Sequence, residues 1–231
     1  MDEITLASWN IRKCVGLDRK RDPMRIVRGL NGLGADIVAL QEADRRLGRR
    51  PAALPHWMLA SETDYSVVTL GALDVSLGWH GNAVLLGPGV ECRTVQVMDL
   101  PGLEPRGAVI ADIVRGDTEM RVVAVHLGLL TRSRGQQYRA ILDRLARMDA
   151  RPTAILGDFN EWGAGGSASG LRDYAVHSPG ATFHSARPVA ALDRVALGRG
   201  IALRDAAVVE TPLTKVASDH LPITAKIRVE A

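Results

Sequence analysis

Eight residues of this chain have the types and positions to do chemistry together: Asn10, Glu42, His126, Asp158, Asn160, Asp193, Asp219 and His220. Each ends or borders a strongly apolar run, such as Val122-Val123-Ala124-Val125 before His126 or Ala154-Ile155-Leu156-Gly157 before Asp158. Charge held in such surroundings is costly unless something pairs it. A hard cation is the economical partner for several carboxylates. The oxygen set Glu42, Asp158 and Asp219 with the amides of Asn10 and Asn160 suits Mg²⁺ or Mn²⁺ better than zinc, and neither cysteine belongs to it. With two imidazoles beside them, these groups match the needs of phosphate-ester hydrolysis: a nucleophilic water, a neutraliser of phosphoryl charge and an acid for the leaving oxygen. Taken singly each has an ordinary alternative, a helix cap or salt-bridge partner for an acid and a satisfied core residue for a histidine. The joint pattern carries the reading.

Strands must deliver these residues. Ile4 to Asn10 reads as a buried strand, Asp22-Pro23 as the cap and first turn of a helix with Ile26, Val27, Leu30 and Leu33 on one face, and Gly34 as its stop. Asp36 to Leu40 is an apolar strand running into Gln41-Glu42, which makes a strand–helix–strand unit with polar groups at both strand ends. The middle of the chain alternates short strands, 83–86, 107–111 and 121–126, with Gly and Pro turns, as expected of an antiparallel or mixed sheet. Ser133 and Gln136 have the spacing of a capping box ahead of a helix whose apolar face is Tyr138, Ile141, Leu142, Leu145 and Met148. The strand 153–157 then presents Asp158, Phe159 and Asn160, repeating the first unit. Gly163 to Gly170 reads as a mobile surface loop, and further strands are expected at 191–197, 206–209 and 221–229. Strands apolar on both faces imply two sheet layers covered by helices, in one domain spanning 1–231.

Composition narrows the class. At 46% hydrophobic and 24% charged the chain can bury a sizeable core, and disorder is not expected. It has no apolar run of transmembrane length and no secretory leader pattern, so a cytoplasmic location is expected. Cys14 and Cys92 are too few and too isolated for a disulfide framework. The net charge is only +3, yet basic residues cluster at Arg12-Lys13, 19–21, Arg45-Arg46 and Arg49-Arg50, where they can attract phosphate or form a solvated face. Few aromatics are present and none interleaves with these clusters as a stacking platform requires. No protein partner is evident.

The ordered motifs Trp9-Asn10-Ile11-Arg12, Leu40-Gln41-Glu42, Val125-His126-Leu127, Leu156-Gly157-Asp158-Phe159-Asn160, Leu192-Asp193-Arg194 and Ser218-Asp219-His220-Leu221-Pro222 resemble those of the endonuclease/exonuclease/phosphatase family. The resemblance runs from about Thr5 to Ala225. It implies a deoxyribonuclease I-like α/β fold, a four-layer sandwich of two packed mixed sheets flanked by helices, with the site at one edge. It implies Glu42, Asn10 and Asp219 as the metal ligands. Asp158 would orient or deprotonate water, Asn160 would hold it or a phosphate oxygen, and His220, steadied by Asp193, would meet the scissile phosphate with His126 across from it. Arg106 matches a phosphate-contacting position. Arg12, His80 and Asn82 are further substrate-binding candidates, the last two because their Gly-Asn turn precedes a strand, and Trp162 either lines the pocket or packs beneath it.

Substrate is less legible, since one scaffold serves DNA, phospholipids and soluble phosphates. The loops are short and offer no wedge for a DNA groove, which disfavours an abasic-site nuclease. The similarity to compact bacterial members of the family implies a metal-dependent phosphodiesterase acting on a phospholipid head group or another compact phosphoester, with contact at a membrane surface. Asn10-Ile11-Arg12 is similar to the deoxyribonuclease I branch, which keeps a non-specific Mg²⁺-dependent endonuclease as the alternative. A catalytically inactive module that holds a phosphorylated ligand is the third reading.

Overall fold

The computed structural model describes residues 3–46, 48–70, 75–163 and 170–230. Its strands are β1 (Glu3–Asn10), β2 (Ile37–Gln41), β3 (Ser66–Val67), β4 (Ala83–Leu86), β5 (Val90–Leu100), β6 (Arg106–Arg115), β7 (Thr118–His126), β8 (Thr153–Asp158), β9 (Ala175–His177), β10 (Asp193–Leu197), β11 (Ile201–Val208) and β12 (Ile223–Val229). The helices are α1 (Pro23–Asn31), α2 (His56–Glu62), α3 (Thr131–Leu145) and the short α4 (Thr214–Ala217). One six-stranded sheet has the order β11-β12-β1-β2-β4-β3 and the other β5-β6-β7-β8-β10-β9. In each sheet one pair of strands is parallel: β1 with β2, crossed over by α1, and β7 with β8, crossed over by α3.

Alternation along the strands builds three apolar layers. In β1, Ile4 and Leu6 face the other sheet while Ala7 and Trp9 face α1. In β7, Met120, Val122 and Ala124 face inward, and Val123 and Val125 meet α3 together with Tyr138 and Ile141. A strand apolar on both faces can be satisfied only between two layers, which is why the sheets stack and the helices cover them. Burial of each such Leu, Ile or Val contributes roughly 1.5–3 kcal/mol. The result is the four-layer α/β sandwich.

Local capping follows the sequence in α1 but not in α3. Asp22 Oδ1 accepts a hydrogen bond from Arg25 N at 3.2 Å and Pro23 opens the helix. That helix ends at Asn31, three residues before Gly34, which takes a left-handed turn at φ +57° on the way to β2. The capping box expected at Ser133 and Gln136 does not form: α3 starts at Thr131 after Leu130, with no side-chain cap. Arg134 instead donates to the carbonyls of Gly128 (3.3 Å) and Leu129 (2.6 Å), and Gln137 Oε1 accepts from Gly128 N at 2.8 Å. These longer side chains hold the incoming segment and draw the helix start back to Thr131. β5, whose alternating half-exposed residues mask an edge strand, was absent from the expected set, and β6 extends to Arg115. Of the stretch read as a mobile loop, residues 164–169 lie outside the described residues.

Candidate active site

The polar strand ends gather because of register and parity. His126 pairs with Asp158 across β7 and β8, and Asp193 pairs with Asp158 across β8 and β10. All three fall on the inward parity of their strands, where Ala124, Leu156 and Val195 fill the layer between the sheets. Asn10, two residues beyond Ser8 on the inner face of β1, arrives from the opposite sheet. One end of the inter-sheet layer therefore turns from apolar to polar, and its groups meet. Asn10 Nδ2 donates to Asp158 Oδ2 at 3.1 Å; the same oxygen lies 3.3 Å from His126 Nε2 and 3.8 Å from His220 Nε2. His220 Nδ1 is 2.8 Å from Asp193 Oδ2, which also accepts the Thr182 hydroxyl at 2.5 Å. Asn160 N donates to Asp158 Oδ1 at 2.9 Å, and Asn160 Nδ2 to the Leu127 carbonyl at 2.8 Å.

The backbone around this cluster is fastened from sheet 1. The indole of fully buried Trp9 donates to the His220 carbonyl at 3.0 Å, and Ser218 Oγ donates to the Asn10 carbonyl at 2.6 Å. Glu42 and Asn160, each just past a strand end, have φ of +53° and +50°. Non-glycine residues in that region cost of order 1–3 kcal/mol and persist where the surroundings over-determine them, which is common at functional sites.

Electrostatics separate the two histidines. Burial opposes charge on His220, but the Asp193 and Asp158 carboxylates outweigh it and raise the imidazole to about 9, so it is an imidazolium at neutral pH. Burial, reinforced by Arg106 and by His220 itself, holds His126 well below the ordinary imidazole range and keeps it neutral. Burial pushes Asp158 upward, against the pull of the His220 charge. Neutral His126 and cationic His220 thus flank one carboxylate.

Two groups of donors bear on cation binding. Asp158, Asp193 and His220 have ligand atoms within 4.8 Å of one another. A His220 charged between two carboxylates has no free lone pair for a metal, so this group suits proton handling better. Glu42 and Asp219 offer only oxygens and already collect cations: Glu42 pairs with Lys13 and, at 3.1 Å, with Arg46, while Asp219 lies 3.3 Å from Arg12. Burial, then repulsion from Arg46, lowers the Lys13 ammonium to about 8. Hard oxygen donors in a cation-seeking corner fit a divalent ion. Asn10 sits beside them, with Oδ1 accepting from Arg12 N at 3.1 Å.

A cleft of about 220 Å³ opens here, with Glu42, Arg106, His126 and His80 among its lining. Arg106 lies 3.5 Å from Glu104 and faces the cleft. His80 also lines it, with Nε2 2.8 Å from Asp99 and Nδ1 against Arg50. Arg12 stands at Asp219 rather than among the cleft-lining residues. Asn82 does not reach the cleft: it is fully buried and its amide donates to the carbonyls of Gly107 (2.9 Å) and Trp79 (3.2 Å), bracing the two sheets. Trp162 is 64% exposed and edges against Phe183, whose ring packs on His220. Residues that sequence reasoning did not assign to the site are Lys13, Arg46 and Thr182. The first two sat in basic clusters read as either phosphate-attracting or a solvated face, and nothing local marks Thr182.

The chain is similar to several known proteins. A 28% identical relative, uncharacterized protein YbhP of Escherichia coli K12, matches over 92% of this chain and 88% of its own length. The endonuclease/exonuclease/phosphatase from Bacteroides vulgatus superposes with a TM-score of 0.79 at 17% identity, over the whole of both chains. The Danio rerio TDP2 complexed with a single-strand DNA product superposes with a TM-score of 0.76 at 17% identity, over 99% of this chain and 100% of that one. The sequence profile of the endonuclease/exonuclease/phosphatase family matches residues 7–220, and the chain belongs to that family.

Proposed function

We propose that this protein is a divalent-metal-dependent phosphoesterase that hydrolyses a phosphodiester in a compact substrate, a phospholipid head group first among them. The observation that carries the reading is the single Asp158 carboxylate met by Asn10, His126 and His220 at the edge of a cleft that Glu42 also lines. Mg²⁺ or Mn²⁺ held by Glu42 and Asp219, with Asn10 beside them, would neutralise phosphoryl charge and favour ionisation of water. Asp158, raised by burial, accepts the proton of the attacking water, and Asn160 fixes the carboxylate through its N–H. The His220 imidazolium, aligned by Asp193 and Thr182, gives its proton to the leaving oxygen. The neutral His126 ring and the Arg106 guanidinium face the phosphoryl oxygens.

Compactness of the substrate follows from the 220 Å³ cleft, which is below the usual range for drug-sized ligands. Exposed Leu129 is in its lining, and the exposed Leu103 and Leu130 are the chain neighbours of the lining residues Glu104 and Leu129, as suits a head group presented at a lipid surface. Among the described residues no helix is long and apolar enough to cross a membrane; we place the protein in the cytoplasm, meeting membranes at their surface. The second reading, a non-specific endonuclease, is favoured by the exposed Trp162 edge beside Phe183 and His220, where a base can stack.

Turnover of bis-p-nitrophenyl phosphate with Mg²⁺, abolished by chelator and by His220→Ala with the circular dichroism spectrum intact, is expected. A chelator-insensitive rate would reject the assignment. Phospholipid vesicles and plasmid DNA compared across salt then separate the two readings, because contact with several DNA phosphates makes affinity fall steeply with salt.

A further inference from the structure

The basic residues of the segment between β2 and α2 have no part in the steps above. Arg45, Arg46 and Arg50 nevertheless line the same cleft as Glu42 and His126. Their segment is pinned at its base. Asp44 bridges Ala52, Arg45 N donates to the Pro51 carbonyl at 2.9 Å, and Ala53 N donates to the Ala43 carbonyl at 2.8 Å. The buried Asp44 carboxylate accepts Leu77 N at 2.6 Å and Gly78 N at 3.2 Å, tying the segment to the chain that enters β4.

The charges in this wall are not balanced from within. Asp44 is engaged by backbone amides, Glu104 by Arg106, and Glu42 by Lys13 and Arg46. Among the described residues, Arg45 has no side-chain partner, and the one partner of the Arg50 side chain is His80 Nδ1. Among the described residues, no carboxylate contacts the Arg50 side chain. Two guanidinium groups thus face a small cleft uncompensated, and Pro105 and Leu129 are also in its lining. A scissile phosphodiester carries one negative charge, which Arg106, His220 and a metal held by Glu42 and Asp219 would meet in the reading above. The planar guanidinium fork binds oxyanions such as phosphate through two parallel N–H donors.

We propose that Arg45 and Arg50 form a second anion subsite, which selects phosphoesters carrying another phosphate group close to the scissile one. This deepens the phosphoesterase reading and rests on it for which phosphate is cleaved. A compact bisphosphorylated head group meets both subsites within one 220 Å³ cleft, whereas a strand of nucleic acid would have to pass through it.

Binding tests the subsite without requiring turnover. Calorimetry of the full-length protein with Mg²⁺ compares glycerol bearing a phosphate on each end with glycerol monophosphate. The bisphosphate is expected to bind about 10- to 100-fold tighter, as two charge-assisted contacts allow. The preference should fall below about threefold in Arg45→Gln combined with Arg50→Gln, and part of it should fall in the exposed Arg45→Gln alone, which has no contact to lose on substitution. Arg45→Lys with Arg50→Lys keeps the charge and should retain part of the preference. Sedimentation with phosphatidylcholine vesicles containing phosphatidylglycerol phosphate, against the same vesicles with phosphatidylglycerol, identifies the source. Preference in vesicles alone assigns a lipid head group, and preference in free solution a soluble one. Equal affinity for one and two phosphates in both arms, or a preference unchanged in the double variant, overturns the subsite. The bis-p-nitrophenyl phosphate assay fails or succeeds separately and reports only on the phosphoesterase reading.

Discussion

Replacing Asp193 by Asn removes a charge and little else. The new carboxamide can still accept from His220 Nδ1 and from Thr182, both of which meet Oδ2 in the native chain. Its effect must therefore pass through His220. Burial alone would lower that imidazole below 6.5, and the carboxylates of Asp193 and Asp158, with a smaller contribution from Asp219, bring it to about 9. Moving an imidazole from 6.5 to about 9 corresponds to roughly 3 kcal/mol in favour of the charged ring. With Asp158 and Asp219 left to oppose burial, His220 returns toward 6.5. At pH 8 the protonated fraction then falls from about 0.9 to about 0.03, roughly a 30-fold loss of the acid form, while at pH 6 the loss is less than about twofold. The assay is kcat for bis-p-nitrophenyl phosphate from pH 5.5 to about 9.5, with the His220 ring titration followed by NMR. The native basic limb is expected near 9 and the variant limb near or below 6.5. Linkage has the same sign: with the folded value above the unfolded one, the stabilisation from charged His220 is complete below about 6.5 and is lost as pH rises through about 9. A variant that loses activity equally at every pH, with its basic limb unmoved, would falsify the assignment of His220 as the proton donor.

Other outcomes follow from single contacts. Mg²⁺ is expected to raise the melting temperature of the native protein, and Glu42→Ala is expected to abolish both that rise and metal-dependent turnover; a metal-induced shift that persists in the variant would place the ion elsewhere. Gly29→Ala should gain up to about 1 kcal/mol of helix propensity, yet its Cβ would lie 2.6 Å from the Trp9 ring, and overpacking of that kind costs roughly 1–3 kcal/mol. Net destabilisation in urea, with reduced kcat because Trp9 holds the His220 carbonyl, is expected, and a stabilised variant refutes the close approach. Asp112→Ala leaves the buried Arg121 guanidinium, now bonded at 2.7 and 3.2 Å, without its carboxylate and should cost about 3–5 kcal/mol. Activity per folded molecule should hold, since Asp112 and Arg121 lie at the far end of the strands that carry the site.

The strand–helix–strand units were legible because α1 and α3 carry apolar stripes and the neighbouring strands are apolar throughout. The two-layer core followed from strands with no polar face. The edge strand β5 escaped because its half-exposed alternation, as in Glu91, Arg93 and Gln96, resembles loop composition. The α3 start was misplaced since Ser133 and Gln136 supply a local signal that the Arg134 and Gln137 contacts to residues 101 and 128–129 override. In the site, strand-end chemistry was readable residue by residue. Its partners were not: Thr182 reaches Asp193 through an isolated bridge region that no periodicity marks, and Asn82 looked like a turn residue although its amide is spent between the sheets. Which face a strand-end residue takes depends on parity counted against the core, and that count needs the register.

Because His126, Asp158 and Asp193 are registered neighbours in one hydrogen-bonded ladder, their spacing is inherited from the sheet and not from the connections around it. Segments such as 44–52 and 101–105 can lengthen, change charge or be exchanged without moving the reacting atoms relative to one another. The scaffold thereby divides labour: the ladder fixes the geometry of these three groups, and the rim is left to vary in shape and charge.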